Sequence, residues 1–180
     1  MRRATSGGET GKLRSIRRMP HLDLKFLSHG TMECSDLVKS RRLFEEVFGF
    51  EVVRTSKIAM QFRLNSTTTV VCVKLKDRPN PGGLGAHFGM DVPTVEDVDA
   101  AHRKVLEIQE EYGIQKVTRP GWIHGVYSFY LVDHDGRFWE ILKNPPGGYD
   151  HVFRKGDDER PWAEQGSEAV GDVEDRMGRP

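Results

Sequence analysis

Residues 126–142 read VYSFYLVDHDGRFWEIL, two strand-like runs, 126–132 and 137–142, on either side of Asp133-His134-Asp135-Gly136. Val, Tyr, Phe and Trp suit a pleated, half-buried backbone, and Asp and Gly suit the turn between. Glu140 is out of place in its run. Phe138, Trp139, Ile141 and Leu142 around it read as buried, and an unpaired buried carboxylate costs enough to demand a partner. Upstream, residues 86–92 read as a strand, 94–111 as a helix stopped by Gly113, and 114–118 as another strand.

The same order of elements occurs once before. Residues 23–33 are strand-like, Ser35-Asp36 is a good N-cap pair, and Leu37, Leu43, Phe44, Val47 and Phe48 fall at helical spacing before Gly49. Strand-like 50–55, 58–64 and 67–75 follow, with a turn at Asn65-Ser66. A linker rich in Pro and Gly, 77–85, separates the two units. His29 and His87 are 58 residues apart and Gly49 and Gly113 are 64 apart, a difference that fits a longer second helix. Two copies of one supersecondary unit predict an α+β fold of paired βαβββ modules, 22–75 and 84–143, packed about a pseudo-twofold axis as a curved, partly closed sheet around a cleft.

In that arrangement the first and last strands of the units line a shared concave surface, which would hold His29, His87 and Glu140. Two imidazoles and one carboxylate suit a divalent first-row metal and leave coordination positions open. A histidine within a strand is usually a hydrogen-bonded structural residue. The equivalent placement of the two in the repeat is what raises them to metal candidates.

The ends are different in kind. Residues 1–20 are Arg-, Gly- and Ser-rich and read as a flexible basic arm, and 144–180 as an acidic tail containing Gly and Pro, with Phe153 and Trp162 as its anchors. The domain proper is 21–143. With 27 Lys+Arg against 27 Asp+Glu, net charge gives no reason to expect nucleic acid as partner. No apolar run approaches the length of a membrane span. Two cysteines, Cys34 and Cys72, cannot build a disulfide scaffold and fit a reduced, cytoplasmic setting.

The segments His29 with Ser35-Asp36-Leu37, Phe44-Glu45-Glu46-Val47-Phe48-Gly49-Phe50, His87-Phe88-Gly89-Met90-Asp91-Val92, and 129–136 through Glu140 together resemble the vicinal oxygen chelate superfamily, the fold of glyoxalases, bleomycin-resistance proteins and extradiol dioxygenases. Where that family usually has Asp-Pro-x-Gly before the metal-binding Glu, His134 stands in place of Pro. Glyoxalase-like members have a fourth ligand on the last strand of the first unit. Aligning that strand with the one bearing Glu140 places Cys72, or its neighbours Val71 and Val73, there, without carboxylate or amide. Cys72 is read as a small buried thiol, although a thiol can also bind a soft metal. The resemblance therefore implies the oxygenase branch: a dioxygenase holding Fe(II) most readily, with Mn(II), Zn(II) or Ni(II) as alternatives, that opens a small catechol-like or hydroquinone-like aromatic with dioxygen. Tyr130, ten residues before Glu140, matches the substrate-binding Tyr of extradiol enzymes, and His124 is a candidate acid, base or hydrogen-bond donor. A further active-site His of two-domain catechol-cleaving enzymes is replaced by Cys72. His21, His102, His134 and His151 take surface placement by default. A metal-dependent lyase or isomerase and a drug-sequestering binding protein are the alternatives, and a homodimer is the expected assembly.

Overall fold

The computed structural model describes residues 21–22, 27–65, 68–75, 77–123 and 125–156. His124 and Trp162 lie outside them.

The repeat is present. The first module runs β1 (His29–Glu33), α1 (Leu37–Arg42), β2 (Glu51–Arg54), β3 (Ala59–Arg63) and β4 (Thr69–Val73). Its sheet order is β1-β4-β3-β2, with β1 and β4 parallel. Asp36 caps α1 by accepting from Val38 N and Lys39 N. The helix widens into a π-type turn over Leu43–Val47, and Phe48 N bonds Leu43 O. Gly49, at φ 70°, then reverses the chain in a conformation costly for any residue with a Cβ.

The second module has β5 (Phe88–Asp91), α2 (Val95–Ile108), β6 (Lys116–Val117), β7 (Gly121–Ile123), β8 (Val126–Val132) and β9 (Phe138–Lys143). The order is β5-β9-β8-β6, with β7 also on β8 and β5 parallel to β9. A capping box between Thr94 and Asp97 starts α2, and Val98 and Val105, two turns apart, are its buried face. The sequence reading has one strand where β6 and β7 lie, and it misses β7. The break is at Thr118, whose Oγ1 accepts from Tyr130 N at 2.8 Å while its own N–H donates to Tyr130 O. A short helix, α3 (Asp150–Lys155), lies in the acidic tail, where the sequence reading places no element. Phe153, expected to anchor that tail, is 84% exposed and anchors nothing within the described chain.

The two sheets share one core through one face each. Met32, Cys34, Met60, Phe62 and Cys72 of the first module pack in the same cluster as Phe129, Leu131, Trp139 and Ile141 of the second. Side chains alternate along a strand, so His29 and Thr31 on one sheet and Tyr130 and Glu140 on the other face away from that core. The α+β class and the paired modules are as read, and the described residues form two sheets without a closed barrel.

The β8–β9 turn ties the modules together. Asp133, 2% exposed, accepts from Trp139 Nε1 and from the backbone N–H of Asp135 and Arg137. Burial pushes its carboxyl up against the pull of those bonds. Asp135 accepts from Ser35 N and Ser35 Oγ across the junction. His134 corrects the surface assignment: with 12% of its side chain exposed it sits beside Ser40 Oγ and Asp135. The absent Pro ring leaves room for a side chain that wedges between modules. Asp133→Ala would strand three donors, one of them a buried indole N–H, so urea unfolding should show a loss of about 3 kcal/mol or more. A loss under about 1 kcal/mol would mean that water replaces the carboxylate.

Candidate metal centre

Glu140 is 6% exposed and stands opposite Tyr130 in the β8–β9 ladder, so both side chains share one face of the hairpin. His87 Nε2 approaches Glu140 Oε2 at 3.4 Å, and the His87 and Tyr130 rings meet edge-on with centroids 5.3 Å apart. His87 immediately precedes β5. The 3₁₀ turn Leu84–Ala86 brings Leu84 O to 2.7 Å from His87 Nδ1. A carbonyl oxygen only accepts, so Nδ1 carries the hydrogen and Nε2 turns toward the carboxylate.

Burial alone would raise the Glu140 carboxyl, but hydrogen bonds from His87, Ser128 and Tyr130 outweigh it and hold the group below the ordinary carboxylate range. The same contact with Glu140 raises His87 against its own desolvation. Ser128 was not singled out in the sequence. Its Oγ is fully buried and finds no partner with full hydrogen-bond geometry, yet lies near enough to favour the charged carboxylate. The signal that could have found it is parity, since it sits two residues before Tyr130 on the same face. Gly89 is the partner of Glu140 across the β5–β9 ladder, and a Cβ there would lie 3.8 Å from Glu140 Oε2 and 3.1 Å from Leu142 Cδ2. Tyr149, 51% exposed, is close enough to Glu140 for its hydroxyl to be raised, after burial, by that charge.

These donors fit a metal. In the neutral imidazole, the Nε2 lone pair would face a carboxylate oxygen, an arrangement that needs a proton or a cation between them. A backbone carbonyl on the far ring nitrogen is the usual support of a metal-binding histidine. His29 does not join them. It is exposed, with Nδ1 hydrogen-bonded to Ser28 Oγ at 2.8 Å, and among the described residues no three His, Cys, Asp or Glu side chains come together as a metal site. Among the described residues the modules meet through their other faces, and His29 is not gathered with His87 and Glu140.

The fourth-ligand question sharpens. Glu140 pairs with the residue two after His87, and the residue two after His29, Thr31, pairs with Val71. Val71 therefore takes the place equivalent to Glu140, and Cys72 points into the core with 0% exposure. A crevice of about 380 Å³ lies nearby, lined by Phe50, Phe62, Phe88, Trp139 and Arg63, and touches Gly89. Its walls belong mainly to the core side of the strands rather than the Glu140 side.

The family model described as "Glyoxalase/Bleomycin resistance protein/Dioxygenase superfamily" matches residues 27–141. The chain belongs to this superfamily. A trivalent organoarsenical cleaving enzyme of Bacillus sp. (strain MD1) is 27% identical over 117 residues, 64% of this chain and 71% of that enzyme. A possible glyoxalase from Bacillus cereus matches in structure with a TM-score of 0.54 and 23% identity, over 66% of this chain and 99% of that one. A fosfomycin resistance protein of Listeria monocytogenes matches with a TM-score of 0.53 and 21% identity, over 68% and 93%. Both neighbours share the superfamily fold with this chain. No helix among the described residues is long and apolar enough to cross a membrane.

Proposed function

We propose that this superfamily member is a metal-dependent dioxygenase of the extradiol type, with His87 and Glu140 of one chain and His29 of a second copy as the metal ligands. The observation that carries this reading is the buried Glu140 carboxylate, turned toward His87 Nε2 and braced by Tyr130, with Val71 where a fourth ligand would stand. Bound there, Fe(II) supplies open positions for two substrate oxygens and dioxygen. Leu84 O holds the imidazole orientation, and Tyr130 holds a proton at Glu140 from which its hydroxyl can swing toward a substrate oxygen. The burial of Ser128 and Tyr130 beside the carboxylate, with Ile123 packed on Tyr130, keeps bulk water away. His124 remains the candidate proton donor from the sequence.

The second copy follows from edges. β1 and β5 are both edge strands of their sheets, each with a metal-candidate histidine at its start, and an unpaired edge is a template for another chain. Bringing β1 of one copy beside β5 of another puts His29 near His87, so the homodimer is part of the site.

Catechol-like and hydroquinone-like aromatics are the first substrate class, being bidentate or redox-active oxygen ligands of small size. The organoarsenical-cleaving relative raises a second reading, but trivalent arsenic seeks thiols, and both cysteines of this chain face the core. A lyase or isomerase is disfavoured by Val71, and a drug-sequestering role leaves the Glu140 cluster without use. An Fe(II)-loaded sample should consume dioxygen with at least one member of a catechol and hydroquinone panel and give a ring-opened product. No uptake with any of them, or turnover without oxygen on Ni(II) or Zn(II), would overturn the reading.

A further inference from the structure

The core face of the first sheet gathers sulfur. Met32 of β1 and Met60 of β3 are both register partners of Cys72 of β4, so three sulfur side chains stand abreast across three strands. Cys34 continues the β1 ladder through its N–H to Val73 O and returns to the same face. Met32 is 4% exposed, Met60 2%, and both cysteines 0%. The two thiols are buried in the same core cluster. Each thiol acts on the other: the Cys72 thiol, with help from Ser40, lowers Cys34, while the Cys34 thiol and burial push Cys72 up.

Methionine and cysteine fill cores as soft hydrophobes, and four of them together need no ligand. Two observations go further. A two-residue step along β1 combined with the spacing between strands puts the Cys34 and Cys72 α-carbons about 8 Å apart, beyond the roughly 7 Å that a disulfide can span. At that spacing two thiols on one sheet face can share one ion but cannot close a disulfide. Arg137 is the second. It is 5% exposed, donates to the carbonyls of Asn80 and Pro81, has a buried Nε without a partner, and acts on the Cys72 thiol as the nearby positive charge. Asp135 opposes it at the thiols, but its carboxylate is engaged by Ser35.

We propose that Met32, Cys34, Met60 and Cys72 form a second, all-sulfur site that takes one Cu(I) ion. Thiolate and thioether sulfur select a soft monovalent cation over the harder divalent ions. Binding breaks both S–H bonds, sends two protons to solvent and forms two S–Cu bonds, with copper remaining Cu(I). The product carries one net negative charge, which the Arg137 guanidinium offsets. The site lies on the opposite face of the sheet from His29 and is independent of the dioxygenase reading.

Full-length, thiol-reduced protein is titrated anaerobically with Cu(I), kept reduced by ascorbate, in the presence of the coloured chelator bicinchoninate. One equivalent should be withdrawn from the chelator, with release of two protons. Cys34→Ala and Cys72→Ala should each abolish the withdrawal. Met60→Leu, near in volume and safe for the core, should keep the melting temperature and weaken copper retention roughly tenfold. His87→Ala should bind Cu(I) as the unaltered protein does. No withdrawal by the unaltered protein, unchanged retention in both Met60→Leu and the cysteine variants, or loss of binding in His87→Ala alone would each overturn the proposal.

Discussion

His29→Ala and Glu140→Ala proteins, each inactive alone, should regain activity when their subunits are mixed and allowed to exchange. His29 lies on an exposed sheet face, and the His87–Glu140 pair lies on a different sheet, turned from the common core. If His29 completes the site of a second copy, a mixed dimer holds one site with all three ligands and one with neither His29 nor Glu140. Random exchange makes about half of the dimers mixed, so roughly a quarter of the full activity should return. Metal content should follow the same pattern, because losing one of three ligands costs affinity steeply, whereas each unmixed variant keeps only two ligands per site. A mixture that stays inactive, while sizing shows that subunits have exchanged, means that the three ligands belong to one chain and that the modules must rearrange to join them.

Which parts of this were legible follows from the range of the interactions involved. Helix stops at Gly49 and Gly113, the Asp36 and Thr94 caps and the alternating strands are local, and the sequence carries them residue by residue. The prominence of Glu140 was legible for a related reason, as one charge in an apolar run. Facing is different. Parity along β1 separates His29 from Met32 and Cys34, but which face meets the other module depends on how much apolar surface each buries, a property of both sheets at once. Hence the sequence left open whether one chain or two supply the three ligands, and within one chain it is the cores that meet. The fourth-ligand position was left among Val71, Cys72 and Val73 for another non-local reason: only the β1–β4 register, which pairs Thr31 with Val71, singles out one of them. Ser128 and His134 are polar residues buried by tertiary neighbours, Glu140 in one case and Ser40 with Asp135 in the other, and composition assigns such residues to the surface.

Tyr130→Phe should lower turnover by roughly 10- to 1000-fold, the range for losing one positioned proton or hydrogen-bond donor. The sequence relation to Glu140, ten residues and an even step, is realised as direct pairing across the hairpin, which fixes the phenol beside the carboxylate with no bulge between them. Thr118 bonds the Tyr130 backbone on both sides, so the ring is held without its hydroxyl and the melting temperature should change little. The hydroxyl has two possible uses, and saturating metal separates them. In one, it only favours the charged form of Glu140; its loss then weakens metal binding, and turnover recovers once metal is in excess. In the other, the hydroxyl also serves the substrate oxygen, and turnover stays low at full metal occupancy while the Michaelis constant moves little, since the missing interaction belongs to the transition state. The edge-on His87 ring, 5.3 Å away, favours the second outcome: it holds the phenol beside both candidate ligands, where a chelated substrate would lie. Full activity with lowered stability would instead confine the hydroxyl to packing and remove Tyr130 from the chemistry.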